Sequence, residues 1–104
     1  MAWILLTVAG LFEVVWSFAM KQSQGFTRLG PSVITIAAMI VSFALLAVSM
    51  KSLPLGTAYT LWTGIGAVGA FVAGLLFLGE PATPMRIAAA VLIVAGLVLM
   101  KLAS

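Results

Sequence analysis

Four long apolar runs, separated by short polar segments, dominate the chain. They cover residues 2–20, 31–50, 55–78 and 85–102. A helix rises about 1.5 Å per residue, so a run of about 20 residues crosses the roughly 30 Å hydrocarbon core of a bilayer. The pattern therefore predicts an all-α membrane protein, with four transmembrane helices in a single domain over residues 1–104 and the lipid bilayer as its solvent.

The three segments between the runs are short and contain residues typical of turns. Residues 21–30 are polar, and Pro31 suits the first turn of the second helix. Pro54 ends the second loop, and residues 79–84 form the third. Because loops this short leave no extramembrane domain, the function is expected inside the membrane. A cleaved signal peptide is a weaker interpretation of the first run, which lacks a basic start and contains a glutamate.

Composition supports the membrane class and excludes several kinds of chemistry. The chain is 64% hydrophobic and 7% charged, whereas about a quarter of residues in a soluble domain are charged. It contains no Cys, His, Asp or Asn, so zinc sites, disulfides and Ser-His-Asp triads are excluded, and we expect neither an enzyme nor a cofactor. The net charge of +3 is spread along the chain, which predicts contacts with lipid headgroups and no nucleic-acid partner.

One acidic residue, Glu13, lies inside an apolar run. A charged side chain at mid-membrane costs about 2.5–3.5 kcal/mol on insertion scales, so such residues usually face a partner or a cavity. A salt bridge within the bundle is the structural alternative, but Lys21 is two turns away and the remaining basic residues lie in loops or at span ends. We therefore predict that a proton and an external cation compete for Glu13, which is the basis of an antiporter.

Aromatic and hydroxyl residues can be placed around this acid by helical spacing. Trp16 lies at i+3 from Glu13, and Ser42 is the polar residue nearest the middle of the second run. Aromatic faces attract organic cations by about 2 kcal/mol or more when desolvated. The alternatives are an interfacial aromatic belt, expected for Trp3 and still open for Trp16, Tyr59 and Trp62, and a Ser42 hydrogen bond to its own helix. The candidate substrate- and proton-binding residues are Glu13, Trp16, Ser42, Tyr59 and Trp62.

Glycines in the third run match G-x-G-x-x-G over residues 64–69. No strand precedes this string and no acid follows it at the required distance, so a dinucleotide site is rejected. The series Gly66, Ala70 and Gly74 instead predicts close helix packing, and small residues in the fourth run predict a seam between copies. The residues expected to serve packing or a helix kink are Gly10, Gly64, Gly66, Ala89 and Gly96.

The length, the four runs and the mid-helix acid resemble the small multidrug resistance family over essentially the whole chain. Within that family, three strings are similar to the guanidinium exporter branch: GLFEVVW at 10–16, GFTRL at 25–29 and GTAYTLWTGIGAVG at 56–69. Trp16, directly after Glu-Val-Val, is the most branch-specific of these residues, because polydrug members tend to have a small residue there.

This resemblance implies an antiparallel homodimer of dual-topology subunits in the bacterial inner membrane, which exports guanidinium in exchange for protons. Two copies of Glu13 would share one site. The family positions that line this site are matched here by Trp16, Ser42, Tyr59 and Trp62. Lys101 matches a basic residue at the end of the fourth helix. Two small departures, Ser17 and Met20, fall outside these positions, although Ser17 adds a hydroxyl one turn from Glu13.

Other functions remain open at this point. A polyaromatic or quaternary-ammonium drug exporter would need a roomier site, and the large Trp16 beside Glu13 favours a small substrate. A non-transporting membrane subunit rarely needs a mid-membrane acid, and proton-driven rotor subunits typically have two helices. A passive channel is separated from an antiporter by conduction without proton exchange.

Overall fold

The structure is a computed structural model that describes residues 1–103. Within those residues it contains four α-helices and no strand: α1 (Ala2–Gln22), α2 (Leu29–Ser49), α3 (Leu55–Phe77) and α4 (Pro84–Leu102). Each helix is long and apolar enough to cross a membrane. The prediction of an all-α membrane protein with four helices is therefore confirmed. Ser104, the last residue of the predicted domain, lies outside the described residues.

The helix ends differ from the predicted spans by one or two residues. α1 continues two residues beyond position 20, and α2 begins at Leu29. Pro31 therefore occupies the third position of α2, inside the first turn, where its missing N–H leaves no helical bond unmade. α4 begins at Pro84, and the Thr83 hydroxyl accepts a hydrogen bond from the Arg86 backbone at 3.3 Å, which caps the first turn.

The helices are packed around α1. Its backbone lies against those of α2 and α3, whereas the backbone of α4 approaches only that of α3. The buried core consists of Leu6, Ala9, Leu46, Ala58, Leu61 and Trp62. No residue of α4 is buried, so this helix presents most of its apolar surface to whatever surrounds the chain.

Two glycines, one in α1 and one in α3, lie where neighbouring side chains approach the backbone closely. A Cβ added to Gly10 would lie 2.8 Å from Cβ of Ile65, and one added to Gly64 would overlap the Leu97 side chain of α4. α3 remains one continuous helix through this region, so these glycines serve packing without interrupting it. Gly96 is different, because a Cβ there would meet no atom of the described chain within 4 Å.

Candidate cation-binding site

Glu13 lies near the middle of α1 with its carboxyl group directed at α3. A Cβ added to Gly66 would overlap the carboxyl atoms of Glu13, so only glycine leaves room for the acid here. Oε1 of Glu13 is buried and finds no hydrogen-bond partner within residues 1–103. Because a buried carboxyl oxygen without a partner is costly, the site is suited to a ligand that supplies hydrogen-bond donors.

The salt-bridge alternative for Glu13 is not found among the described residues. The ion pair there joins Arg86 to the other acid of the chain, Glu80, at 3.6 Å. The Ser17 hydroxyl, one turn from Glu13, donates to the Val14 carbonyl at 3.0 Å, so its proton is engaged by its own helix. The carboxyl group of Glu13 thus remains available to a proton or to an external cation.

Ser42 is fully buried and connects three helices. Its hydroxyl donates to the Ala9 carbonyl of α1 at 2.7 Å and accepts from Trp62 Nε1 of α3 at 2.9 Å. The alternative of a bond to its own helix is therefore wrong. Its single proton is directed at Ala9 and therefore does not orient the Glu13 carboxylate. Ser42 instead fixes the backbone of α1 one turn before Glu13.

Four aromatic rings form a continuous series beside this network. Phe43 contacts Trp16 edge-on with ring centroids 6.4 Å apart and contacts Trp62 at 5.6 Å; Trp62 in turn contacts Tyr59 at 5.6 Å. Phe43 was not among the candidates predicted from the sequence, although it directly follows Ser42 and is the single aromatic residue of α2. Trp62 is 7% exposed and Tyr59 53%, so the series runs from the core to an open surface.

The indole groups of Trp16 and Trp3 have different surroundings. Trp16 Nε1 is buried and has no hydrogen-bond partner within the described chain, so it resembles Glu13 Oε1 in lacking a polar contact. Trp3 lies at the start of α1, and the Lys101 ammonium is 5.3 Å from the centroid of its ring. This cation–π pair at the helix ends fits the interfacial position expected for Trp3.

The residues predicted to serve packing or a helix kink lie in different parts of the structure. Gly10 and Gly64 are helix contacts, whereas Gly66 accommodates the acid itself. Ala89 borders a small groove between α3 and α4 together with Phe71 and Arg86. Ala89 and Gly96 are not buried by the described chain, so any seam they form lies outside a single copy.

Four apolar helices, with a mid-helix carboxyl group that has no ion-pair partner within residues 1–103, define a small multi-pass membrane protein with a candidate site for a proton or a small cation. Comparison with known proteins agrees, because residues 1–102 match the sequence profile of the Small Multidrug Resistance protein family. The chain belongs to that family.

Curated relatives give a more specific likeness. The chain is 61% identical over 104 residues to the guanidinium exporter of Escherichia coli strain K12. The aligned region covers all of this chain and 99% of that protein. It is 59% identical, with the same coverage, to the guanidinium exporters of Citrobacter freundii and Salmonella typhimurium. Each of these proteins is similar along its whole length, so the likeness includes every helix described above.

Proposed function

We propose that this protein is a proton-coupled antiporter that exports guanidinium and small guanidinyl cations. The observation that carries this proposal is the Glu13 carboxyl group, which lies at mid-helix against Gly66 with a buried oxygen lacking any described partner. Either a proton or a cation can stabilise such a group, but the two cannot bind to it at the same time. Competition between them couples the movement of one to the opposite movement of the other. The full-length relatives named as guanidinium exporters support the choice of substrate.

Guanidinium fits the chemistry of this site. It is planar and permanently charged, and its paired N–H donors match the edge of a carboxylate. It cannot lose its charge to diffuse through lipid, so its export requires a protein. The flat faces of the Trp16, Phe43, Trp62 and Tyr59 series suit a flat cation by cation–π attraction.

The working unit in this proposal is an antiparallel homodimer of chains inserted in both orientations. Support comes from α4, which has no buried residue, and from Gly96, whose surroundings are open in a single copy. The charge distribution also supports it. One side of the membrane carries Lys51 and Lys101, and the other carries three basic residues, Lys21, Arg28 and Arg86, a difference too small to fix one orientation.

An arrangement of two inverted copies also suits the proposed transport function. Four short helices enclose little space, whereas eight can surround a cavity between two copies of Glu13. Inverted symmetry then gives two related states, open to opposite sides, as alternating access requires. We place this assembly in the bacterial cytoplasmic (inner) membrane, because the similar proteins come from bacteria such as Escherichia coli.

The proposal is tested by measuring guanidinium flux and proton flux together in liposomes that contain the purified protein. An antiporter drives guanidinium against its gradient when a pH gradient is imposed, and it moves protons in the opposite direction. Guanidinium flux that ignores the pH gradient would indicate a passive channel. No flux of either ion, in liposomes with correctly assembled protein, would indicate a non-transporting membrane subunit.

A further inference from the structure

A second acidic group lies at the membrane edge, at the junction of α3 and α4, and it is already bound to a guanidinium group. Glu80 follows α3, and its Oε1 lies 3.6 Å from Nη2 of Arg86 in the first turn of α4. Nη1 of the same guanidinium donates to the Pro81 carbonyl at 2.7 Å. The guanidinium carbon stands 5.1 Å from the centroid of the Phe71 ring. A carboxylate, a carbonyl and an aromatic ring thus surround one guanidinium.

We propose that Glu80, Phe71 and the Pro81 carbonyl form an outer guanidinium-binding site, which Arg86 occupies until a guanidinium ion from solution displaces it. This inference rests on the proposed function for the identity of its ligand. Its role is to hold the substrate at the membrane edge before or after the substrate visits Glu13. The head group of Arg86 is the substrate's own chemical group, so the contacts it makes are those available to the free ion.

The position of this outer site relative to Glu13 follows from α3. The Glu80 carboxyl lies against Gly74, where an added Cβ would overlap it, just as the Glu13 carboxyl lies against Gly66. The two glycines are eight residues apart on one helix, a distance of about 12 Å along its axis. Both acidic side chains of the chain therefore lie on the same face of α3, two turns apart.

A groove of about 320 Å³ runs along this face between α1 and α3. Its outer end is bordered by Lys21, Glu80 and Arg86, and its inner end by Ser17 and Ala70. Ser17 lies one turn after Glu13 on α1, and Ala70 lies one turn after Gly66 on α3. The groove therefore extends from the outer acid to the helical turns adjacent to the inner one, and Phe18, Phe71 and Leu78 line it together with small residues.

The contacts of Arg86 are weak enough for exchange. The side chains of Glu80 and Arg86 are each 37% exposed, and exposed ion pairs contribute little because water and salt screen them. Arg86 nevertheless has the advantage of being attached to the same chain, which gives it a high effective concentration. Free guanidinium is therefore expected to bind measurably once this tethered competitor is removed.

The test uses guanidinium chloride as the probe and the full-length protein in lipid bicelles. Glu13→Gln removes the central carboxylate, and Arg86→Ala is then added to free the outer site. Backbone amide signals of Gly79 and Glu80 are followed by NMR during the titration, with equal concentrations of sodium chloride as the reference. We expect saturable shifts in E13Q/R86A, binding about tenfold weaker in E13Q alone, where Arg86 still competes, and no saturable shift in E13Q/R86A/E80Q.

The matched control is E13Q/R28A, which removes one basic residue from the same side of the membrane and should behave like E13Q. If E13Q/R86A does not fold, Arg86→Gln replaces it, because the amide keeps a polar side chain at that position. Absence of saturable shifts in both Arg86 variants, or equal shifts with and without Glu80, would overturn the outer site. Because Glu13 is absent throughout, these results are independent of whether the unmodified protein exchanges guanidinium for protons.

Discussion

Trp62 donates its indole N–H to the Ser42 hydroxyl at 2.9 Å, and Ser42 donates in turn to the Ala9 carbonyl at 2.7 Å. This relay joins α3, α2 and α1 one turn before Glu13. Ser42 thus connects α1 and α3 next to the candidate binding site, and its proton is directed at Ala9 and not at the carboxylate.

Ser42→Ala is expected to destabilise the folded bundle by about 1–3 kcal/mol, because it leaves the buried Trp62 N–H without a partner. Unfolding by denaturing detergent, followed by Trp fluorescence, measures this change. Ser32→Ala is the control, because the exposed Ser32 hydroxyl donates only to the Arg28 carbonyl at the start of its own helix. A Ser42 variant of unchanged stability that nevertheless loses guanidinium binding would show that the hydroxyl acts on the ligand.

Glu13→Gln is expected to abolish guanidinium binding at the central site and proton-coupled movement, while the protein still assembles and the weak outer site near Glu80 is unaffected. The amide has nearly the same shape but can neither release a proton nor attract a cation by charge. Binding is measured by calorimetry and coupling by the liposome flux assay. Thr7→Val, another polar change on α1, should retain both activities. Substantial proton-coupled uptake by the Gln variant would remove Glu13 from the coupling mechanism.

Gly66→Ala is expected to weaken guanidinium binding by about tenfold or more, because the new methyl group occupies the volume of the Glu13 carboxyl and overpacking displaces side chains. The control is Gly56→Ala in the same helix, where an added Cβ meets no atom within 4 Å. Equal guanidinium affinities for these two variants, measured by calorimetry, would contradict the placement of the Glu13 carboxyl group against α3.

Trp16→Gly is expected to extend the substrate range towards bulky aromatic cations and to weaken guanidinium transport. The indole is half-buried and packs against Phe43, so its removal opens space on the Glu13 side of α1. Competition of planar dyes with guanidinium uptake measures the range, and Trp3→Gly at the helix start should leave it narrow. If the unmodified protein already transports large planar dyes as well as guanidinium, the small-site interpretation is wrong.

Two lysines added to one side of the membrane are expected to fix most chains in a single orientation and to reduce transport. The added lysines remove the near balance of basic residues between the two sides of the membrane. Chains that all insert in one orientation cannot form an antiparallel pair. Co-expression with an oppositely biased variant should restore activity, measured as guanidinium resistance of the cells. Full activity from one strongly biased variant alone would favour a parallel dimer.

The sequence by itself determined the number of helices and their approximate ends, and it identified Glu13 as the acid inside a span. These features depend on runs of about 20 apolar residues and on the rarity of acids within them, both of which are properties of the linear chain. Helical spacing also indicated that Trp16 shares a face with Glu13, because positions i and i+3 are neighbours on any helix.

Only the tertiary structure decided which residues of different helices meet. The hydroxyl of Ser42 had possible partners on its own helix and on two others, and spacing cannot choose among them. The small-residue pattern of Gly66 and Gly74 predicted helix packing, yet both glycines lie against carboxyl groups. Phe43 of α2 contacts Trp16 of α1 and Trp62 of α3 only because packing brings these helices together. Periodicity defines the faces of one helix, whereas the rotation and depth of its neighbours depend on packing between helices.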